Sequence, residues 1–337
     1  MNIKHLIYGM TAALALVACS AGDDQQGDSA PLPIRFTASV DGADITRAAA
    51  TTSLKGYTFY VWSDMVNNKT SEVTTYLNAW EQNVDGNGNI VHEQKLFPVY
   101  NTLSFYAIFG QFEESVYGGS TLWPSVLNAS VKTTQVSQDE YQRSDLLYAV
   151  RPDVSPTGDA VDLHFYHLFS KVEVALMARN NITAEEVLTQ DATRVTVSIV
   201  GTRTKAEFRP SKTAELTTVE GRQALLTVPV NDDNAPQDIT METVTTDDFT
   251  DGTCAAAIVV PQTVNGRFIR LSYMGHDTYY SVSNLELKSG YRYRFNLTVD
   301  RIGEEFVVTP NLTVSPWDAE SIVDADLDTL TGTTPNN

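Results

Sequence analysis

Between Tyr291 and Asp300 the chain alternates without a break. Tyr291, Tyr293, Phe295, Leu297 and Val299 are apolar or aromatic, and Arg292, Arg294, Asn296, Thr298 and Asp300 are polar. Successive side chains of an extended strand point to opposite faces, so this pattern fits a strand with one buried and one wet face and does not fit a helix. Ile34, Phe36, Ala38 and Val40 alternate in the same way with Arg35, Thr37, Ser39 and Asp41, as do Val195, Val197 and Ile199 with Thr196 and Ser198. Apolar runs at Tyr57–Trp62, Leu103–Phe109, Val161–Phe165, Val172–Leu176, Cys254–Val260 and Phe268–Tyr273 read as further strands. Helix signals are few. Ser137-x-x-Glu140 and Thr183-x-x-Glu186 have the spacing of capping boxes, in which a hydroxyl and a carboxylate satisfy each other's backbone amides.

Many short strands, polar turns and little helix predict an all-β chain of antiparallel β-sandwiches. The strand count exceeds one sandwich. Pro152–Asp159 (PDVSPTGD) is rich in turn residues and makes a joint, giving an N-terminal domain over 32–160 and a C-terminal domain over 161–318. Residues 319–337 form an acidic tail.

The start of the chain has a different grammar. Lys4 precedes an apolar run from Leu6 to Ala18, too short to span a bilayer, followed by Cys19 and a small, acidic stretch. Residues 1–18 read as a secretory signal peptide. Leu16-Val17-Ala18-Cys19 resembles the lipobox of bacterial lipoproteins, in which Cys19 would become the lipidated first residue and hold the protein on a membrane. Residues 19–31 then form a flexible acidic tether.

A net charge of −19 repels nucleic acid, which needs lysine and arginine to displace its counterions. Hydrophobic content of 42% is ample for packed cores, so the acids belong on a folded surface. There are two cysteines, and lipidation of Cys19 leaves Cys254 without a disulfide partner, as a small residue of a buried strand.

Motifs for chemistry are fragmentary. Asp85-Gly86-Asn87-Gly88-Asn89 begins like a calcium loop, but Ile90 stands where the sharp-turn glycine belongs and Leu96 where the bidentate acid belongs, so it reads as a hairpin loop. His92-Glu93-Gln94-Lys95 lacks the second histidine of a zinc-protease helix. His164 and His167 fall on opposite faces of a strand, unfit for one metal. No catalytic residue, metal or cofactor is expected.

Several segments together resemble the fimbrillin family, the type V pilins and Mfa-like surface lipoproteins of the Bacteroidota. They are the lipobox at Cys19, Ile34-Arg35-Phe36, Ile45-Thr46-Arg47-Ala48, Tyr57-Thr58-Phe59-Tyr60-Val61-Trp62, His167-Leu168-Phe169-Ser170-Lys171-Val172, Gly290 to Leu297 and Val314-Ser315-Pro316-Trp317. The resemblance implies two transthyretin-like sandwiches and a fimbrial subunit or tip adhesin at the surface of the outer membrane. Its partners would be other fimbrial subunits and a host or bacterial receptor or glycan.

It also implies cleavage between Arg47 and Ala48, removing the lipid together with the first strand and its inward residues Ile34, Phe36, Ala38 and Val40. A neighbouring subunit would then supply a replacement. The donor would be the tail, through Val323, Ala325 and Leu327, or the more apolar Phe306–Val314, which Pro310 interrupts. Asp23-Asp24 resembles the family's surface-sorting signal, and Asp28-Ser29-Ala30 and Asp328-Thr329-Leu330 resemble O-glycan acceptors at Ser29 and Thr329. A second reading is a monomeric glycan-binding surface lipoprotein, with Trp62, Trp80, Trp123 and Tyr279-Tyr280 as stacking platforms.

Overall fold

The computed structural model describes residues 31–40, 54–112, 122–179, 195–244, 254–273, 276–302 and 305–317. In these the chain is all-β with a few short helices. The strands of the first half are β1 (Phe36–Val40), β2 (Thr58–Asn67), β3 (Val73–Val84), β4 (Ile90–Val91), β5 (Asn101–Phe109), β6 (Leu127–Ser130), β7 (Leu147–Val154) and β8 (Val161–His167). Those of the second half are β9 (Ser170–Arg179), β10 (Val195–Thr202), β11 (Lys205–Phe208), β12 (Leu226–Thr227), β13 (Gln237–Thr240), β14 (Glu242–Val244), β15 (Cys254–Val259), β16 (Thr263–Tyr273), β17 (His276–Glu286), β18 (Tyr291–Ile302) and β19 (Glu305–Pro316).

A seven-stranded sheet runs β1-β8-β7-β5-β2-β3-β4, and sheets β13-β10-β16-β17, β14-β15-β9-β18-β19 and β12-β11-β6 follow. Pairing is antiparallel except at β1–β8 and β9–β18, which are parallel. Parallel neighbours need a crossover, and here long stretches of chain lie between the two strands of each parallel pair. The strand Val161–His167, assigned from sequence to the second half, hydrogen-bonds into the first sheet.

Alternation decides which face is buried. Phe59, Val61, Phe105, Ala107, Leu147, Ala149, Leu163 and Phe165 point into one cluster, and Trp62, Tyr106, Ile108 and Tyr148 from the same sheet point into another, shared with β9–β18. The seven-stranded sheet is therefore apolar on both sides, which is why its central strands read as nearly continuous hydrophobic runs. At Gly290, φ is +70° and an added Cβ would lie 2.8 Å from the Arg222 guanidinium, so only glycine fits that turn into β18.

Both local signals tested by the described residues hold. Helix α1 (Gln138–Arg143) opens on Ser137, whose hydroxyl accepts from the Glu140 amide while the Glu140 carboxylate accepts from the Ser137 amide. Asp85 to Asn89 forms the β3–β4 hairpin loop, closed by the Asp85 carboxylate on the amides of Asn87 and Asn89. The second short helix, α2 (Val219–Gln223), is capped by Thr218, and the Thr183 signal lies outside the described residues.

Candidate functional site: the first strand and the slot it fills

Residues 32–40 lie in a slot with different walls along its length. On one side β1 pairs in parallel register with β8, from Phe36 opposite Val161 to Val40 opposite Phe165. On the other, at the entrance, Ile34 donates its amide to the Lys95 carbonyl at 2.9 Å and Leu32 accepts from the Phe97 amide at 2.7 Å. The strand therefore closes the gap between β8 and the segment after β4.

Its inward residues are those the alternation picks out. Ile34, Phe36, Ala38 and Val40 are all buried, at 0 to 7% exposure. Phe36 meets Phe105 edge-on at 5.2 Å between centroids and Trp80 at 5.6 Å. Burying a side chain of this size contributes about 1.5–3 kcal/mol. Ile34, Phe36 and Val40 together thus contribute roughly 5–8 kcal/mol to closing the first core.

The outward face is tied down by pairings that the sequence reading did not assign. Arg35 donates to the Gly158 carbonyl, Thr37 donates to Asp162 at 3.2 Å, and Ser39 Oγ lies 2.8 Å from His164 Nδ1. Thr37 with Asp162 and Ser39 with His164 are same-register neighbours across the parallel pair, 125 residues apart in sequence, and no local pattern encodes such a pairing. His164 thus faces β1, whereas His167 is buried with Nδ1 2.7 Å from Asp145. The two histidines do not converge.

Of the remaining expected site residues, Cys19, Ser29, Arg47, Ala48, Val323, Ala325, Leu327 and Thr329 lie outside the described residues. Phe306–Val314, the other donor candidate, is held in β19, paired residue for residue with β18 from Tyr291↔Pro316 to Ile302↔Glu305. Donating it would break that ladder. Trp62 is buried and Trp123 packs against it at 5.6 Å, so neither offers a free stacking face. Tyr279 is covered by the Arg267 guanidinium at 4.3 Å.

Residues 46–317 match a protein-family model described as fimbrillin-like. No curated protein matches the chain. Among solved structures, a candidate cell adhesion protein of Bacteroides uniformis is 18% identical, with a TM-score of 0.56 over 87% of this chain and 100% of its own. Another from Bacteroides ovatus is 13% identical, with a TM-score of 0.57 over the same shares. At these identities the two share the fold with this chain.

Proposed function

The chain belongs to the fimbrillin-like family, and from that premise we propose that it is a fimbrial subunit whose first strand is removed so that a neighbour's strand can take its place. The observation that carries this reading is the slot. A nine-residue segment contributes a whole row of the first core, yet among the described residues its only extended strand partner is β8.

Losing about 5–8 kcal/mol of burial would leave the domain close to unfolding, since typical domains are stable by about 5–15 kcal/mol. A vacated slot would therefore be filled by strand addition. Backbone pairing against β8 would give affinity, and alternate pockets would give register.

The remaining steps belong to the same proposal. Export as a lipoprotein places lipidated Cys19 at the outer membrane, joined to the fold by the tether 19–31. More than one acyl chain is needed for durable anchoring, because each buried methylene adds only about 0.8 kcal/mol. A trypsin-like cut after Arg47 frees both the lipid and β1. The family match begins at residue 46, beside that bond. The tail carrying Val323, Ala325 and Leu327 is the donor, because the competing segment is engaged in β19. The division into two sandwiches over 32–160 and 161–318, with its joint at Pro152–Asp159, belongs to the same proposal, amended in that Val161–His167 pairs into the first sheet. The role is structural and adhesive and needs no catalytic residue or cofactor.

The test is to purify surface fimbriae and sequence the N-terminus of this subunit, with and without Arg47→Ala. We expect wild-type subunits in fibres to begin at Ala48, and the variant to stay at lipidated Cys19 outside them. Fibres built of subunits that still begin at Cys19 would sink strand exchange by this route.

A further inference from the structure

Beside the slot, the first sheet opens into a cleft that strand exchange does not use. β3 and β4 pair only at Asn83↔Val91 and Val84↔Ile90. From His92 the chain leaves β3 and crosses to Lys95–Phe97, where it meets residues 32–34. Upstream, β3 carries a bulge at Ala79, whose φ of 42° is unusual for a residue with a side chain. The two strands splay around a cleft of about 670 Å³, within the range of small-molecule sites.

Its lining is specific in kind. Tyr60, Tyr76, Trp80 and His92 supply rings, with His92 and Trp80 edge to face at 4.6 Å. Asn78, Asn83 and Glu81 supply planar polar groups. Two polar atoms beneath this surface have no hydrogen-bond partner among the described residues: the indole Nε1–H of Trp80, a donor, and Oδ1 of Asn78, an acceptor. Buried polar groups are nearly always paired, so two orphans of opposite type in one cleft call for an explanation.

We propose that this cleft binds a neutral oligosaccharide. Sugar hydroxyls both donate and accept, so they can meet the indole N–H and the amide oxygen alike, and the apolar faces of the sugar ring lie against the aromatic side chains. His92 lies edge to face against Trp80, so a ligand that reaches the indole N–H would displace it. The rim decides the charge. Glu81 and Glu93 are exposed, and Lys95, the one cation of the lining, is held by Glu93 at 2.8 Å. An anionic sugar meets net repulsion there, and the Lys95 ammonium disfavours a metal ion. This cleft is that of the uncut protein, in which Phe36 packs against Trp80 and residues 32–34 hold the Lys95–Phe97 wall.

The experiment titrates the full-length protein with maltotriose, cellotriose, N-acetyllactosamine and sialylated N-acetyllactosamine, read by calorimetry and tryptophan fluorescence. At least one neutral sugar should bind. Asn78→Ala breaks no bond among the described residues and should weaken binding about tenfold with an unchanged melting temperature. Where N-acetyllactosamine binds, its sialylated form should bind more weakly, and Glu81→Gln should narrow that gap. Tyr279→Ala, on the aromatic pair of β17, should change nothing. Binding of none of the neutral sugars, equal or tighter binding of the sialylated one, indifference to Asn78→Ala, or equal loss with Tyr279→Ala would each overturn the proposal.

Discussion

The imidazole of His167 lies flat on the indole of Trp317, with ring centroids 3.7 Å apart and planes within 1° of parallel. His167 ends β8 in the first sheet, and Trp317 follows β19, the last strand of the second half. The Trp317 amide also donates to the Gly290 carbonyl at 2.9 Å, which fixes the indole over the ring. One aromatic stack therefore ties the end of the first sheet to the end of the described chain.

Stacked rings contribute about 0.5–1.5 kcal/mol beyond the area they bury. A double-mutant cycle with His167→Ala and Trp317→Ala, followed by urea unfolding, should return a coupling energy of about that size, roughly 0.5–1.5 kcal/mol. Strict additivity would mean that the stack contributes nothing of its own.

A second tie joins Asp64 to Lys212. The ammonium donates to both carboxylate oxygens, at 2.7 and 2.6 Å, and sits over the rings of Tyr106 and Trp123 at 5.3 and 5.4 Å. Asp64 is only 7% exposed, so Lys212→Ala leaves a largely buried carboxylate without its cation. We expect a loss of about 1–3 kcal/mol. Asp64→Leu combined with Lys212→Met should cost less than Lys212→Ala alone, since removing both charges leaves no unpaired buried charge. Urea midpoints of the three proteins compare them directly.

Tyr106 makes the same region sensitive to alkali. Burial, helped by the nearby Asp64 charge, pushes its phenol from 10.0 up to about 12. Tyr148 and Tyr293 are also pushed up by burial. The folded protein keeps these protons where the unfolded chain has already lost them. Stability is thus fully present below pH 10, and as pH rises through the folded value near 12 the Tyr106 contribution is lost. Unfolding midpoints taken across this range should fall steadily, and Tyr106→Phe should make the slope shallower. A slope unchanged by that substitution would assign the effect to other groups.

The two faces of β1 should differ sharply in cost. Phe36→Ala empties a ring-lined pocket in the first core and should cost about 3–5 kcal/mol. Thr37→Ala loses one exposed hydrogen bond to Asp162 and should cost under about 1 kcal/mol. Thermal unfolding of the uncut protein measures both. Similar losses at the two positions would contradict the inward and outward assignment of the strand.

Legibility from sequence followed the range of the interaction. The strand around Phe36 was readable because burial repeats every second residue, the one around Phe295 from its alternating sequence, the one around Phe105 as a continuous apolar run, and Ser137 because its partner is three residues away. β3 was harder to read. Its bulge sends both Leu77 and Trp80 to buried positions, which breaks the two-residue period that marks a strand. The parallel seat of β1 on β8, the Asp145–His167–Trp317 chain and the grip of Lys212 on Asp64 join residues from 22 to 150 positions apart. Such pairings depend on the three-dimensional path, and single residues carry no mark of them. The cleft beside β3 belongs to the same class. It arises where two strands stop pairing, and its lining becomes a set only when Lys95 crosses to Ile34.

The direction of β1 also bears on what could be built from many copies. Because it runs with β8, its N-terminal end lies near Val161 and its C-terminal end near Phe165. A replacement strand from a second molecule that kept this direction would always emerge at the same end. Each joint would then repeat one rotation and one translation, the head-to-tail geometry that yields an open filament and no closed pair. Such a filament has unlike tips, one presenting a vacant acceptor and the other an unused donor, so growth and termination would occur at opposite ends.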